Sequence, residues 1–310
     1  MILILSRLFR AWRERNAAAS HDAVDAAVIP APTSLIAGTK SHPGRRTPAG
    51  GGPLTLLAHQ VRFDLLAAFR NPRARFFTIA FPIILLVILA GVFGHGTTVV
   101  DGVHVKLSHF YIPGILAMSI ITSAYATLVV SIASARETGI LKRRRATPVS
   151  ATILIGGQAL ATLVTTAAMT AVLLLIGRFA YGFSVAPGAL VAIACTVIVG
   201  TLSFACISYA VAGLIGSVDA AQPIVQATVM PLYFISGIWI PNENLSHTLQ
   251  SIASVFPVEH LASALHLASV HSSFSAAFAP KDLLVLAIWG LAAAAIAARR
   301  FSWLPSVATA

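Results

Sequence analysis

The sequence predicts an all-α integral membrane protein with six transmembrane helices preceded by a cytosolic interfacial helix. Three observations predict it. Of 310 residues, 57% are hydrophobic and only 10% are charged, whereas a soluble domain carries about a quarter charged residues. The apolar residues gather into uncharged runs long enough to cross a bilayer. Lys and Arg sit at the ends of those runs, where membrane topology uses them.

The chain divides into three parts. Residues 1–53 read as a cytosolic, largely disordered tail. Within it, 1–15 is basic and amphipathic, which fits either a helix lying on a membrane surface or a stretch with no role. It lacks a small-residue cleavage site, so it does not read as a signal peptide. Residues 16–53 are rich in Ala, Pro, Gly, Ser and Thr and show no apolar periodicity. Residues 54–300 form the six-helix transmembrane domain, and 301–310 a short cytosolic tail.

Leu54, Leu57, Val61, Leu65 and Phe69 recur every three to four positions, which predicts the interfacial helix before the first span. Asn71-Pro72 ends it. Spans follow at 76–94, 110–134, 151–177, 188–216, 224–240 and 281–298. The connections are a polar loop at 95–109, a charged segment at 135–150, a loop at 178–187, a tight polar link at 217–223 and a polar-to-amphipathic segment at 242–280.

With the N-terminus inside, 18 of the 21 Lys and Arg fall on cytoplasmic segments; Lys106, Arg178 and Lys281 fall outside. This split predicts a multi-pass plasma-membrane protein with both termini cytoplasmic, and the Arg- and Ala-rich composition fits a bacterial source. The net charge of +11 therefore reflects topology rather than nucleic-acid binding. Lipid is the expected surrounding partner.

Several chemistries lack their residues. No phosphate-cradling G-x-x-x-x-G-K-[ST] occurs; Gly38-Thr39-Lys40-Ser41 lacks the Gly-Lys step. The chain is expected to be no enzyme, to carry no cofactor, and to have no catalytic or metal-binding residues. Cys195 and Cys206 would lie about 16 Å apart on one helix, too far to bridge. His95, His104, His109, His247, His260, His266 and His271 scatter over the predicted outer segments and read as solvated. No Asp, Glu, Lys or Arg falls mid-span, where coupled transporters keep ionisable groups. The neutral polar residues Ser119, Thr122, Ser123, Gln158, Thr165, Ser203, Tyr209, Gln226 and Thr228 are expected to bond helix to helix.

The segment Arg136-Glu137-Thr138-Gly139-Ile140-Leu141-Lys142-Arg143-Arg144-Arg145-Ala146-Thr147-Pro148-Val149-Ser150 has more order than a topogenic loop requires. It resembles the R-E-x-G-x-L-K-R-x-R-A-T-P-x-S signature of type-2 ABC transporter permeases of the daunorubicin-resistance type. Phe234, Ser236, Gly237 and Pro241, followed by Phe256-Pro257 and Ala262, resemble the same family's F-x-S-G-x-x-x-P stretch and its later proline. Asn244-Leu245-Ser246 departs from the Leu-Pro usual there.

The resemblance implies a permease subunit of an ATP-driven exporter of drug-like or lipid-like cargo. It implies two permease chains, as a homodimer or paralogous heterodimer, and two copies of a cytosolic ABC ATPase. Arg136, Glu137, Gly139, Leu141, Lys142, Arg143, Arg144, Arg145, Ala146, Thr147 and Pro148 would form the ATPase-coupling loop. Within it Leu141 would be the apolar anchor, the basic run would steer docking, and Gly139 would permit close backbone approach. The alternative is an integral-membrane transferase acting on lipid-linked substrates. That enzyme would need clustered His, Asp or Glu at a membrane face, and Asp101, Glu243, Glu259 and Asp282 are widely separated in sequence.

Overall fold

A computed structural model describes residues 53–70, 72–139 and 151–300. The tail 1–52, most of the basic loop (140–150) and residues 301–310 lie outside the described residues. Helix α1, Pro53–Arg70, opens the described chain. Helix α2 starts with the turn Pro72–Arg75, passes through a π-helical turn at Phe76–Ala80, and continues as Phe81–Phe93.

A two-stranded hairpin follows, β1 Thr97–Val100 and β2 Val103–Lys106, in antiparallel register with Val100 opposite Val103. Asp101 and Gly102 both hold positive φ, 49° and 75°, as the two central residues of a type I′ turn require. The predicted polar loop is thus a strand pair, a small β addition to the all-α expectation. Thr98, Val100 and Val105 turn partly or fully inward.

Helix α3 runs from Leu107 to Glu137 with a π-helical stretch at Thr122–Thr127. Helix α4 is Ala151–Tyr181 and α5 is Pro187–Leu214. Helix α6 is Val218–Ile235, so it starts before the predicted span. Pro223 and Pro231 stand inside it, each removing one N–H from the helical ladder, which packing in lipid tolerates, and Ser217 caps it by accepting from Ala220 N at 3.3 Å. The predicted link 217–223 shrinks to Ile215-Gly216-Ser217.

The segment predicted as polar-to-amphipathic holds α7 (His247–Ala253), α8 (Pro257–Val270) and α9 (Phe274–Ala277). Helix α8 is largely internal: Leu261, Ala262, Ala264, Leu265 and Ala268 are fully buried. Helix α10, Pro280–Arg300, closes the described chain.

Among the described residues, five helices are long and apolar enough to cross a membrane: Phe76–Phe93, Leu107–Glu137, Ile155–Tyr181, Pro187–Leu214 and Pro280–Arg299. Helix α6 overlaps the fifth predicted span, 224–240, and is not among these five; Asp219, Gln222, Gln226 and two prolines lower its apolar character. The core is centred on α3. The apolar window of that helix is 72% buried within the protein, against 22% for each of the first and last spans.

Polar side chains stitch the bundle, as expected for helices in lipid. Thr166 and Thr201 meet at 3.0 Å between α4 and α5, and Tyr209 donates to Gln158 Oε1 at 2.8 Å. Thr122 and Tyr233 meet at 3.4 Å between α3 and α6. Others stay local: Ser119, Thr165 and Thr228 each donate to a carbonyl of their own helix. Ser208 of α5 donates to Ala124 O at 2.5 Å, within the π-helical stretch of α3, where widening of the turn disturbs the regular hydrogen-bond ladder.

Candidate functional site

Two groups of sequence-predicted residues occupy opposite ends of the bundle. At the first, α3 ends in Arg136-Glu137-Thr138-Gly139. Thr138 N donates to Ser134 O at 3.0 Å, Gly139 N donates to Arg136 O at 3.2 Å, and Gly139 has φ +69°. A left-handed glycine of this kind terminates a helix without the strain a side chain would bring. No described atom lies within 4 Å of where its Cβ would sit. The glycine therefore suits the turn that ends the helix, and nothing in the described chain crowds it.

Arg136 is 5% exposed. Its guanidinium donates to Ala212 O at 3.1 Å and to Ile215 O, the carbonyls at the C-terminus of α5. Those carbonyls have no helical partner of their own, and the negative pole of the helix faces the positive charge. Glu137 reaches the other side of the same connector: its Oε2 accepts from Val218 N at 3.4 Å, the first amide of α6. A carboxylate there meets the positive pole of a helix. Arg136 and Glu137 thus bracket the α5–α6 link. Leu141, Lys142, Arg143, Arg144, Arg145, Ala146, Thr147 and Pro148 lie outside the described residues.

At the opposite end, Ser236-Gly237-Ile238 turns the chain after α6. Gly237 has φ +71°, and a Cβ there would stand 2.7 Å from Asn242 Oδ1. Ile238 is fully buried, and its carbonyl oxygen would lie 2.5 Å from a Cβ at Gly114 of α3. Only two bare backbones can meet so closely. Phe234 packs edge-on against Trp239 at 4.7 Å. Pro241 is buried, and Pro257 supplies the fixed φ of the first turn of α8. This second motif builds an internal joint between α3, α6 and α8.

The histidines of α8 complete that joint, and they are buried rather than solvated. His266 is 7% exposed. Its Nε2–H donates to Gly237 O at 3.0 Å, and its ring stacks on Phe110 at 4.5 Å. Burial lowers its pKa from 6.5 to about 4, so the ring is neutral. His260, 6% exposed, faces Asp282 Oδ1 at 2.7 Å through Nδ1 and Ser254 O at 2.9 Å through Nε2. Both ring nitrogens meet acceptors, so the ring is an imidazolium, and the Asp282 bond raises its pKa.

Glu259 stands 3.5 Å from the same Nδ1, and burial raises its carboxyl pKa. Glu259, His260 and Asp282, distant in sequence, therefore do form a cluster, because α8 lies against the start of α10. Its ligand atoms lie within 4.8 Å of one another, a set able by residue type to hold a metal. With both ring nitrogens hydrogen-bonded to acceptors, however, His260 offers no free lone pair. His271 bonds Asp101 at 2.7 Å and ties the hairpin turn to the end of α8. The sequence signal for α8 was the spacing of Val258, Leu261, Leu265 and Ala268.

A helical bundle of membrane-crossing length, joined by neutral polar contacts, defines a multi-pass membrane protein. The family model for the ABC-2 type transporter matches residues 56–268, and the chain belongs to that family. The match runs from α1 through most of α8 and takes in both motifs. No curated protein sequence matches the chain. As a family, ABC-2 permeases work with an ABC ATPase and in a dimeric arrangement.

Proposed function

We propose that the chain is the membrane subunit of an exporter of the daunorubicin-resistance type, moving drug-like or lipid-like molecules out of a bacterial cell. A separate cytosolic ATPase, present in two copies, supplies the energy. The observation that carries this reading is the ordered segment 136–150 on a chain of the ABC-2 family. Helix α6 serves as a sixth span, and both termini face the cytoplasm, as the positions of Lys and Arg favour.

Helix α1 lies at the cytoplasmic interface. It packs on α4 so closely that a Cβ at Gly157 would stand 2.5 Å from Gln60 Cγ. The two helices leave a groove lined by Leu57, Val61, Leu65, Leu66, Leu160 and Val164 with Arg62 beside them, a pattern suited to acyl chains and the headgroup level. Two permease chains, identical or paralogous, pair in the membrane, and residues 136–148 receive the movement of the ATPase.

The test is coexpression with the partner ATPase of Leu141→Ala, Gly139→Leu and Arg144→Gln. All three are expected to insert. Leu141→Ala should weaken ATPase co-purification by the about 1–3 kcal/mol of a lost apolar anchor. Gly139→Leu should reduce coupling through strain at its φ of +69°, and Arg144→Gln should behave nearly as the parent. If Leu141→Ala and Gly139→Leu bind the ATPase and transport normally, the segment is a charge anchor alone.

A further inference from the structure

The R-E-x-G half of the signature makes its described contacts inside the membrane subunit. Arg136 is buried and spends its donors on Ala212 O and Ile215 O. Glu137 accepts from Val218 N, and Ser217 between them caps α6. A guanidinium taken out of water is tolerated only when its donors are used, and here the buried carbonyls of Ala212 and Ile215 at the α5 C-terminus take them.

We propose that Arg136 and Glu137 are transmission residues: they clamp the end of α3 to the α5–α6 connector, so that displacement of the basic loop moves both helices with it. The signature then has two parts with different jobs. Residues 136–139 fasten the loop to the bundle, and 140–148 meet the ATPase. This rests on the coupling reading above and assigns that site its route into the membrane. The mechanical reason is continuity. Helix α3 is unbroken from Leu107 to Glu137, and Gly139 ends it two residues past the clamp. A push on the loop therefore arrives at a point bonded to the last carbonyls of one helix and the first amide of the next.

The experiment uses the full chain with its partner ATPase in lipid vesicles. Cys195 and Cys206 are replaced by Ser, and a single reporter cysteine, Gly216→Cys, is placed in the connector. Maleimide labelling of that cysteine, ATPase co-purification, ATP hydrolysis and transport are read for the parent background, Arg136→Gln, Arg136→Lys, Glu137→Gln and Leu141→Ala. In the parent background, ATP is expected to change the labelling rate. Arg136→Gln should keep ATPase binding and hydrolysis, lose the ATP-dependence of labelling, and lower transport per ATP about tenfold or more, the scale of one charge-assisted hydrogen bond. Arg136→Lys, which keeps the charge and a donor, should recover part of the loss.

Glu137→Gln removes the charge from an exposed partner and should weaken the response without affecting folding, so it decides the matter if Arg136→Gln fails to insert. Normal transport per ATP with ATP-responsive labelling in Arg136→Gln, or in Glu137→Gln where the first variant is not produced, overturns the clamp. Loss of ATPase binding equal to that of Leu141→Ala also overturns it, since the residues would then be docking contacts. Failure of the coupling reading looks different: Leu141→Ala binds and transports normally, and labelling in the parent background ignores ATP.

Discussion

His260 and His266 sit six positions apart on α8 with pKa values shifted in opposite directions, which makes stability depend on pH in two directions. The pKa of His260 is raised in the folded state. Its contribution is complete below the ordinary value of 6.5 and is lost as pH rises through the folded value. The raised carboxyl pKa of Glu259 acts in the same direction from a lower pH. The pKa of His266 is lowered to about 4; its contribution is complete above 6.5 and is lost as pH falls toward 4, reaching about 3 kcal/mol. Thermal melts of the purified chain should therefore show two limbs. His260→Asn should flatten the limb above pH 6.5 and His266→Gln the limb below it; a variant that leaves its own limb unchanged refutes that assignment. Glycines differ in the same local way. Gly237→Ala should cost about 1–2 kcal/mol for its left-handed φ and more from contact with Asn242. Gly91→Ala, with open space around it, should be neutral or mildly stabilising. Chemical unfolding of both variants side by side checks the contrast.

At the level of elements, α5 is the helix on which the bundle closes. It bonds α4 through Thr166–Thr201 and Tyr209–Gln158, and it meets α10 most tightly at Gly290, where a Cβ would stand 2.8 Å from Ser203 Oγ. Thr201→Val should cost about 0.6 kcal/mol, the usual worth of such a bond between membrane helices. Gly290→Val should cost about 1–3 kcal/mol by overpacking. Detergent-denaturation curves that rank the two in the reverse order would disprove this account. The sequence makes the spans legible because lipid demands long uncharged runs, and five of them stand at nearly the expected limits. Helix α6 is less legible at its start, since Asp219 and Pro223 look like loop residues until Ser217 is seen as a cap. The hairpin carried its signal in Asp101-Gly102 and in alternating inward residues, but Asp101, His104 and Lys106 gave it the look of a polar loop. Burial of α8 depends on which helices cover it, which spacing alone does not state. For Arg136, the sequence shows a basic residue at a membrane boundary; only the fold shows that it points inward, toward the end of a helix 76 residues away.

Across the whole molecule, burial is uneven. Helix α3 is enclosed, while α2 and α10 leave most of their surface free for lipid or for a second chain. The detergent-solubilised particle is expected to contain two 32.4 kDa chains; light scattering that finds one chain per particle at all concentrations would contradict the pairing. Reporter fusions after Arg300 and within 135–150 are both expected to read cytoplasmic, and a periplasmic signal at either place would reverse the topology. The π-helical stretch Thr122–Thr127 has a consequence for the lineage of the chain. One residue more than an α-turn needs is lodged in the central helix, and each residue of an α-helix rotates the chain about 100°. The wide turn absorbs that surplus residue, so deleting it, for example Ala126, would close the turn into a regular helix and leave Arg136 still facing the end of α5. The bulge and the arginine can therefore be inherited separately. Descendants that lose the extra residue are expected to keep the buried cation without a compensating insertion before residue 136.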